Sequence, residues 1–258
     1  MVKFSKFNGL GNDFIITDEN IEQEQIQKLC DRHFGIGADG VIINSVKDNM
    51  PFMKFFNADG SVAKMCGNGI RCYAKYLDLK GEDFTNINTL AGIKNISKVD
   101  DKYRVCLGKA TIKFLDKQII VNDKKINIDF VDTGTDHCTI IDSSIDFEFL
   151  EKYGVQIEKN YEIFPKGTNV NLVHVISDKE INVYTFERGV GITLACGTGA
   201  SASVVIAHKK GLVSNNCKVN LLGGSLNIDI ENENVYMTGT ATKVFDGLIC
   251  DEIFNLVK

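Results

Sequence analysis

The sequence predicts a mixed α/β (α+β) chain built from two homologous halves, and three observations predict it. The motif Cys66-Gly67-Asn68-Gly69 returns as Cys196-Gly197-Thr198-Gly199, an offset of 130 that is about half of the 258 residues. A fixed internal offset marks a duplicated unit, and the same one carries Phe56 onto Phe186 and Lys80-Gly81 onto Lys210-Gly211. Each motif is followed by apolar residues at helical spacing, while other stretches alternate apolar and polar residues with the period of a strand. The halves are placed at 1–118 and 119–258, joined near 115–125.

Taken in order, Gly11-Asn12-Asp13 is echoed by Gly134-Thr135-Asp136 at an offset of 123. An insertion of seven residues before the second motif reconciles the two offsets. A helix is predicted over 21–33, ending at Gly35. After Cys66, the residues Ile70, Tyr73, Ala74 and Leu77 share one helix face; after Cys196, Ala200, Val204 and Ala207 do the same. Both helices stop at Lys-Gly, the cation at the negative helix end and the glycine free to take the left-handed cap. The second opens Gly-Thr-Gly-Ala-Ser-Ala-Ser, small enough for other backbone to approach, which suits a helix wrapped by a sheet. Residues 126–130, 181–186 and 226–230 read as strands, and 253–257 as a last strand able to pair with either half. With Pro only at 51 and 165, no linker stands out.

The formal charge of −5 and a pI near 5.5 argue against nucleic acid or an anionic membrane as partner, since both need a basic face. No run approaches the roughly 18 apolar residues of a membrane span, and the N-terminus lacks the apolar stretch of a signal peptide. The chain reads as cytoplasmic. Its eight cysteines therefore read as thiols, and with no CxxC pair no metal site is expected.

A cysteine just before a helix has backbone N–H groups and the positive dipole end beside it, which favours the thiolate. The glycines open the first-turn amides to an anion such as a carboxylate. One such loop is commonly a packed turn. Two copies in a duplicated chain put two thiols at the disposal of one amino acid. One thiolate can then remove the Cα proton while the other thiol protonates the opposite face, and the amides stabilise charge spreading onto the carboxylate. A cysteine nucleophile paired with histidine for acyl transfer needs only one loop. A non-catalytic amino-acid-binding module would use both loops as carboxylate clamps and no proton transfer.

These motifs resemble the diaminopimelate epimerase family. The matching stretches are 6–14 (KFNGLGNDF), 35–40 (GIGADG), 56–60 (FNADG), 65–72 (MCGNGIRC), 186–189 (FERG), 195–199 (ACGTG), 236–239 (YMTG) and 244–247 (VFDG). The resemblance implies two pseudo-symmetric domains, each a curled, mainly antiparallel sheet around a central helix, with the active site in the cleft between them. It implies interconversion of L,L- and meso-diaminopimelate, in lysine and peptidoglycan precursor synthesis, with Cys66 and Cys196 as the acid–base pair. Asn68 and the backbone around Gly67, Gly197 and Thr198 would hold the reacting amino-carboxylate. Asn57, Asn169 and Arg188 would read the distal one, with Asn12 and Glu187 nearby. No metal, pyridoxal phosphate or nucleotide is implied; the partner is a small amino acid, and a homodimer is admitted by family likeness alone.

Arg188 follows the strand 181–186, where it can clamp a carboxylate. Adjacent strand residues face opposite ways, so Glu187 and Arg188 both reach substrate only where the strand ends. His137 matches a family histidine and is expected, with Thr135, behind the substrate contacts. His33, His174 and His208 read as structural, and Cys30, Cys72, Cys106, Cys138, Cys217 and Cys250 as buried small residues. One departure stands out. The family usually has proline before this histidine and often asparagine two before; here the run is Thr135-Asp136-His137. Threonine keeps a hydroxyl but reaches less far, and Asp136 adds a negative charge. Lanthionine and histidine therefore stay open as alternative substrates.

Overall fold

In the computed structural model, which describes residues 1–255, the chain separates into two compact units. One comprises Met1–Val105 and the segment returning from Gly239; the other is Cys106–Thr238. The repeat alone suggests one junction at 118/119. The chain instead leaves its first unit at 105/106 and comes back at 239.

The first unit opens with β1 (Val2–Gly9) and β2 (Asn12–Thr17). They are joined by Leu10-Gly11, both left-handed (φ 62° and 85°), the two-residue turn that suits strand twist. Helix α1 (Gln23–Cys30) then crosses over to β3 (Gly40–Lys47), which lies parallel to β2. β4 (Met50–Asn57) returns antiparallel, β5 (Val62–Ala63) pairs with its end, and α2 (Gly67–Lys80) follows. The short β6 (Asn86–Ile87), β7 (Lys94–Val99) and β8 (Lys102–Lys109) form a meander that leads into the second unit.

Helix α1 is shorter than the 21–33 expected. Glu22 and Gln25 form a reciprocal capping box at its start. At its end Asp31 is extended and its carboxylate takes the N–H groups of His33 and Phe34, an alternative to continuing the helix. His33 consequently sits exposed in the following turn, not on a helix.

The second unit repeats the order of the first. β9 (Thr111–Val121) and β10 (Lys124–Asp132) make a hairpin through Asn122-Asp123, so 115–125 is ordered sheet and not a joint between halves. β11 (Asp136–Ile141) pairs antiparallel with β10, α3 (Phe147–Glu158) crosses over, and β12 (Asn169–Ser177) runs parallel to β11. Antiparallel β13 (Glu180–Glu187), short β14 (Gly191–Thr193) and α4 (Gly197–Lys209) correspond to β4, β5 and α2. The meander of β15 (Asn216–Leu221), β16 (Gly224–Glu231) and β17 (Asn234–Gly239) completes the unit. β18 (Thr242–Ile249) then pairs antiparallel with β1, which is why the C-terminal segment belongs to the first unit. The stretch expected as a strand over 253–257 is a 3-10 turn, Asp251–Asn255, with Ile253 and Phe254 packed beside α1; Leu256 and Val257 lie outside the described residues.

Each sheet is covered on both faces. In the first unit Ile15, Val41, Ile43 and Phe56 pack against Ile26 and Leu29 of α1, while Ile42 and Met53 meet Gly69 of α2. In the second, Cys138, Ile140, Val170 and Leu172 pack on Leu150 and Ile157 of α3, and α4 runs against β10 to β13, β15 and β16. Each fully buried aliphatic side chain contributes about 1.5–3 kcal/mol to this packing. Burial extends round the first turns of α2, from Gly67 to Ala74, beyond the one face expected: it is a central helix. Among the described residues no helix is long and apolar enough to cross a membrane.

Candidate active site

In the first unit Cys66 is itself the N-cap of α2. Its backbone is extended (φ −130°, ψ 125°) and its Sγ accepts the N–H of Gly69 at 3.4 Å, the place usually filled by a Ser, Thr or Asp oxygen. Gly69 has to be small: a Cβ there would stand 3.1 Å from Met53 and 3.3 Å from Cys66. The β1–β2 turn delivers Asn12 to the same point, where its Oδ1 accepts the Cys66 thiol (3.6 Å) and Asn68 Nδ2 (3.3 Å). Asn12 Nδ2 donates to Asp39 at 2.7 Å, and the buried Arg71 donates to Asn68 Oδ1 at 3.0 Å. Since a carboxylate only accepts and a guanidinium only donates, both amides are oriented unambiguously.

This chain is anchored by charge. Lys6 reaches Asp13 at 2.7 Å, and Arg32 bridges Asp13 and Asp39 at 2.8 and 2.7 Å. Burial pushes the Asp13 carboxyl up, but the bonds and charges of Arg32 and Lys6 outweigh it and hold it at about 2. Asn57 ends β4 a short way along the chain, with its Nδ2 on Ser61 Oγ at 2.9 Å.

The second unit repeats the cap with different support. Cys196 is extended (φ −123°, ψ 106°) and its Sγ accepts Gly199 N–H at 3.4 Å. Here the nearby side-chain partner is the Thr198 hydroxyl, 3.5 Å from the sulfur. Thr198 Oγ1 and Thr135 Oγ1 both lie 3.0 Å from His137 Nε2, and Asn171 Nδ2 faces His137 Nδ1 at 3.1 Å. Thr185 donates to Asn171 Oδ1 at 3.0 Å. His137 is fully buried, which pushes its imidazole down to about 3, so it is neutral throughout the physiological range. The strand β13 ends at Glu187, so alternation does not constrain Arg188 beyond it. Arg188 N–H donates to Asn169 Oδ1 (3.0 Å) and its guanidinium to Lys166 O (2.9 Å), while Asn169 Nδ2 holds Asp136 O (3.0 Å). Glu187 accepts from Thr193 at 2.6 Å.

The structure therefore gathers Asn12, Gly67 and Asn68 around Cys66, and Gly197, Thr198, Thr135 and His137 around Cys196, with Asn169, Glu187 and Arg188 clustered at the β12 and β13 ends. Asp39, Arg71, Asn171 and Thr185 were not assigned roles from sequence. The Asn-Val-Asn of β12 was the available signal, since two asparagines two apart share one face of a strand. Of the other cysteines, burial pushes Cys30 and Cys72 up to about 12 and Cys217 to about 11, and Cys138 is raised as well. Cys106 is only half-buried and Cys250 is exposed, against the expectation that all six are buried. Cys250 follows the last residue of β18 and precedes the 3-10 turn, outside the sheet that would have covered it. His174 and His208 hold backbone carbonyls of Ile145 and Val213, structural roles as expected.

Comparison with known proteins adds an independent line. The diaminopimelate epimerase family profile matches residues 4–113 and 130–244. A diaminopimelate epimerase from Caldanaerobacter subterraneus subsp. tengcongensis is 38% identical, over 96% of this chain and 99% of that protein. Another from Halothermothrix orenii is 41% identical, over 96% and 98%. In fold, the chain resembles the crystal structure of a hydroxyproline epimerase from Agrobacterium vitis, with a TM-score of 0.73, 12% identity, and 95% and 91% of the two chains covered.

Proposed function

The chain belongs to the diaminopimelate epimerase family, and from that premise we propose that it interconverts L,L- and meso-diaminopimelate by passing one Cα proton between two thiols. The observation that carries the reading is the duplicated cap: Cys66 and Cys196 each close the N-terminus of a central helix, with the N–H of the third helical residue on the sulfur. One cysteine, as thiolate, takes the Cα proton; the other, as thiol, gives its proton to the opposite face, and the two exchange states with each turnover. The first-turn amides of α2 and α4 receive the substrate carboxylate, where helix N-termini stabilise the negative charge that develops as Cα is deprotonated. Asn68 assists there, and Asn57, Asn169, Glu187 and Arg188 read the distal end. The reading carries a cytoplasmic location with it, where thiols stay reduced.

A second reading keeps the two thiols and changes the amino acid. What favours it is Thr135, whose hydroxyl is engaged with His137 where the family usually offers an asparagine. Proton NMR of the reduced protein in D₂O, following the α-proton signal, separates the two. With L,L-diaminopimelate the expected result is loss of that signal and appearance of the meso isomer. Exchange confined to lanthionine or L-histidine would move the specificity and keep the chemistry. Silence on all three, from folded protein with both thiols free, would overturn the epimerase reading in favour of a binding module.

A further inference from the structure

The two caps use the same backbone bond but differ in what side chain meets the sulfur. At Cys66 the neighbour is Asn12 Oδ1, an acceptor whose orientation is imposed by Asp39. Asn68, the residue at the repeat position of Thr198, turns its Nδ2 to Asn12 and its Oδ1 to Arg71. At Cys196 the neighbour is a hydroxyl, and the groups behind it determine where its proton goes. Asn171 Nδ2 lies on His137 Nδ1 and within 3.5 Å of the Cys138 carbonyl, while its Oδ1 takes Thr185. An amide so placed donates to Nδ1, and the His137 proton is therefore on Nε2. A protonated ring nitrogen can only donate. Neither oxygen beside it, Thr135 Oγ1 or Thr198 Oγ1, can then donate to it, and the hydroxyl proton of Thr198 is turned away from the ring. The Cys196 sulfur lies 3.5 Å from that oxygen.

Building on the two-thiol reading above, we propose that the Thr198 hydroxyl is a hydrogen-bond donor to the Cys196 thiolate, and that His137 and Asn171 are positioning residues which hold it in that role. A bond given to the anion favours the anion. The neutrality of His137 is part of the device, because an imidazolium beside Thr198 would draw the hydroxyl by charge and lose its acceptor at Nδ1. Threonine at 198 thus acts through its side chain as well as its backbone. In the first unit the side-chain oxygen that Asn12 brings to Cys66 accepts the thiol proton, the opposite direction of bond.

The test titrates each thiol separately in ligand-free protein: iodoacetamide alkylation rates from pH 5 to 10, resolved by peptide mass spectrometry at Cys66 and Cys196. The thiolate attacks the methylene carbon of iodoacetamide, forming the S–C bond as the C–I bond breaks and iodide leaves the reagent, so the pH midpoint reports thiolate formation and not access alone. Thr198→Val is expected to raise the Cys196 midpoint by about one pH unit, a tenfold loss of thiolate at neutral pH, with Cys66 unmoved. Thr198→Ser restores it. Asn171→Ala, which releases the His137 tautomer, shifts Cys196 in the same direction as Thr198→Val. An unchanged Cys196 midpoint in Thr198→Val, or a shift that serine does not reverse, overturns the proposal; the circular-dichroism spectrum and thermal unfolding of each variant report whether it is folded. No turnover is involved, so a failure here refutes the hydroxyl's role alone, while absence of exchange in D₂O refutes the epimerase reading alone.

Discussion

The caps that hold the two sulfurs work only because glycine occupies the third helical position of α2 and α4. A Cβ on Gly199 would stand 2.5 Å from Asn171 Oδ1, 3.1 Å from Thr185 Oγ1 and 3.2 Å from Cys196 Sγ. The nearest of these is not the free end of a flexible chain: Thr185 is bonded to Asn171, and Asn171 to His137. Gly199→Ala is therefore expected to destabilise the protein by about 1–3 kcal/mol, the range for overpacking a filled site, and to cut activity by a larger factor than that destabilisation accounts for at assay temperature. Urea unfolding and steady-state kinetics on the same preparation check both parts. A variant as stable and active as the parent would show that the strand face can retreat from α4, contrary to this packing.

At the scale of elements, the β1–β2 turn depends on the ion cluster of Lys6, Asp13, Arg32 and Asp39 that ties it to the start of β3. Asp13 is held at about 2 against an ordinary value of 3.8. A carboxylate depressed in the folded state adds stability that is complete above its unfolded value and fades as pH falls through the folded one. The contribution, of order 2 kcal/mol, should thus be present at pH 5 and be lost between about pH 4 and 2. Asp13→Asn removes it, so the difference in urea midpoint between parent and variant should shrink steadily across that window; a difference independent of pH would mean that Asp13 acts through hydrogen bonding and not charge. None of this cluster was legible as a cluster in the sequence, where Lys6, Asp13, Arg32 and Asp39 are separated by turns and a helix. What was legible is what repeats or alternates. The paired CGxG motifs located the starts of α2 and α4 and the cysteine that caps each, and alternation found β10, β13 and β16. Boundaries set by side chains bonding to backbone escaped it, as at Asp31, where an apolar pattern that continues to residue 33 is cut short. Long-range pairing escaped it too: nothing local in 242–249 says that this strand joins β1.

For the molecule as a whole, duplication has consequences for how it fails. The equilibrium between two epimers is fixed, so the ratio of kcat/KM in the two directions is fixed as well, and damage to either unit must lower both directions by the same factor. A half-site does not own one direction of the reaction. Cys66→Ala and Cys196→Ala are each expected to lower kcat/KM by roughly 10²–10⁴-fold, the usual worth of a positioned acid or base, equally for L,L- and meso-diaminopimelate. Proton exchange behaves differently, because it needs one thiol only. A remaining thiolate can remove the Cα proton, trade it with D₂O and return deuterium to the same face, which labels the substrate without inverting it. The two single variants should then label opposite epimers, one the L,L form and the other the meso form, each with retention. NMR of both epimers incubated separately with both variants reads this directly. Labelling of the same epimer by both variants, or inversion at the parent rate by either, would show that the two thiols do not serve opposite faces of one carbon, and the internal repeat would then need another explanation.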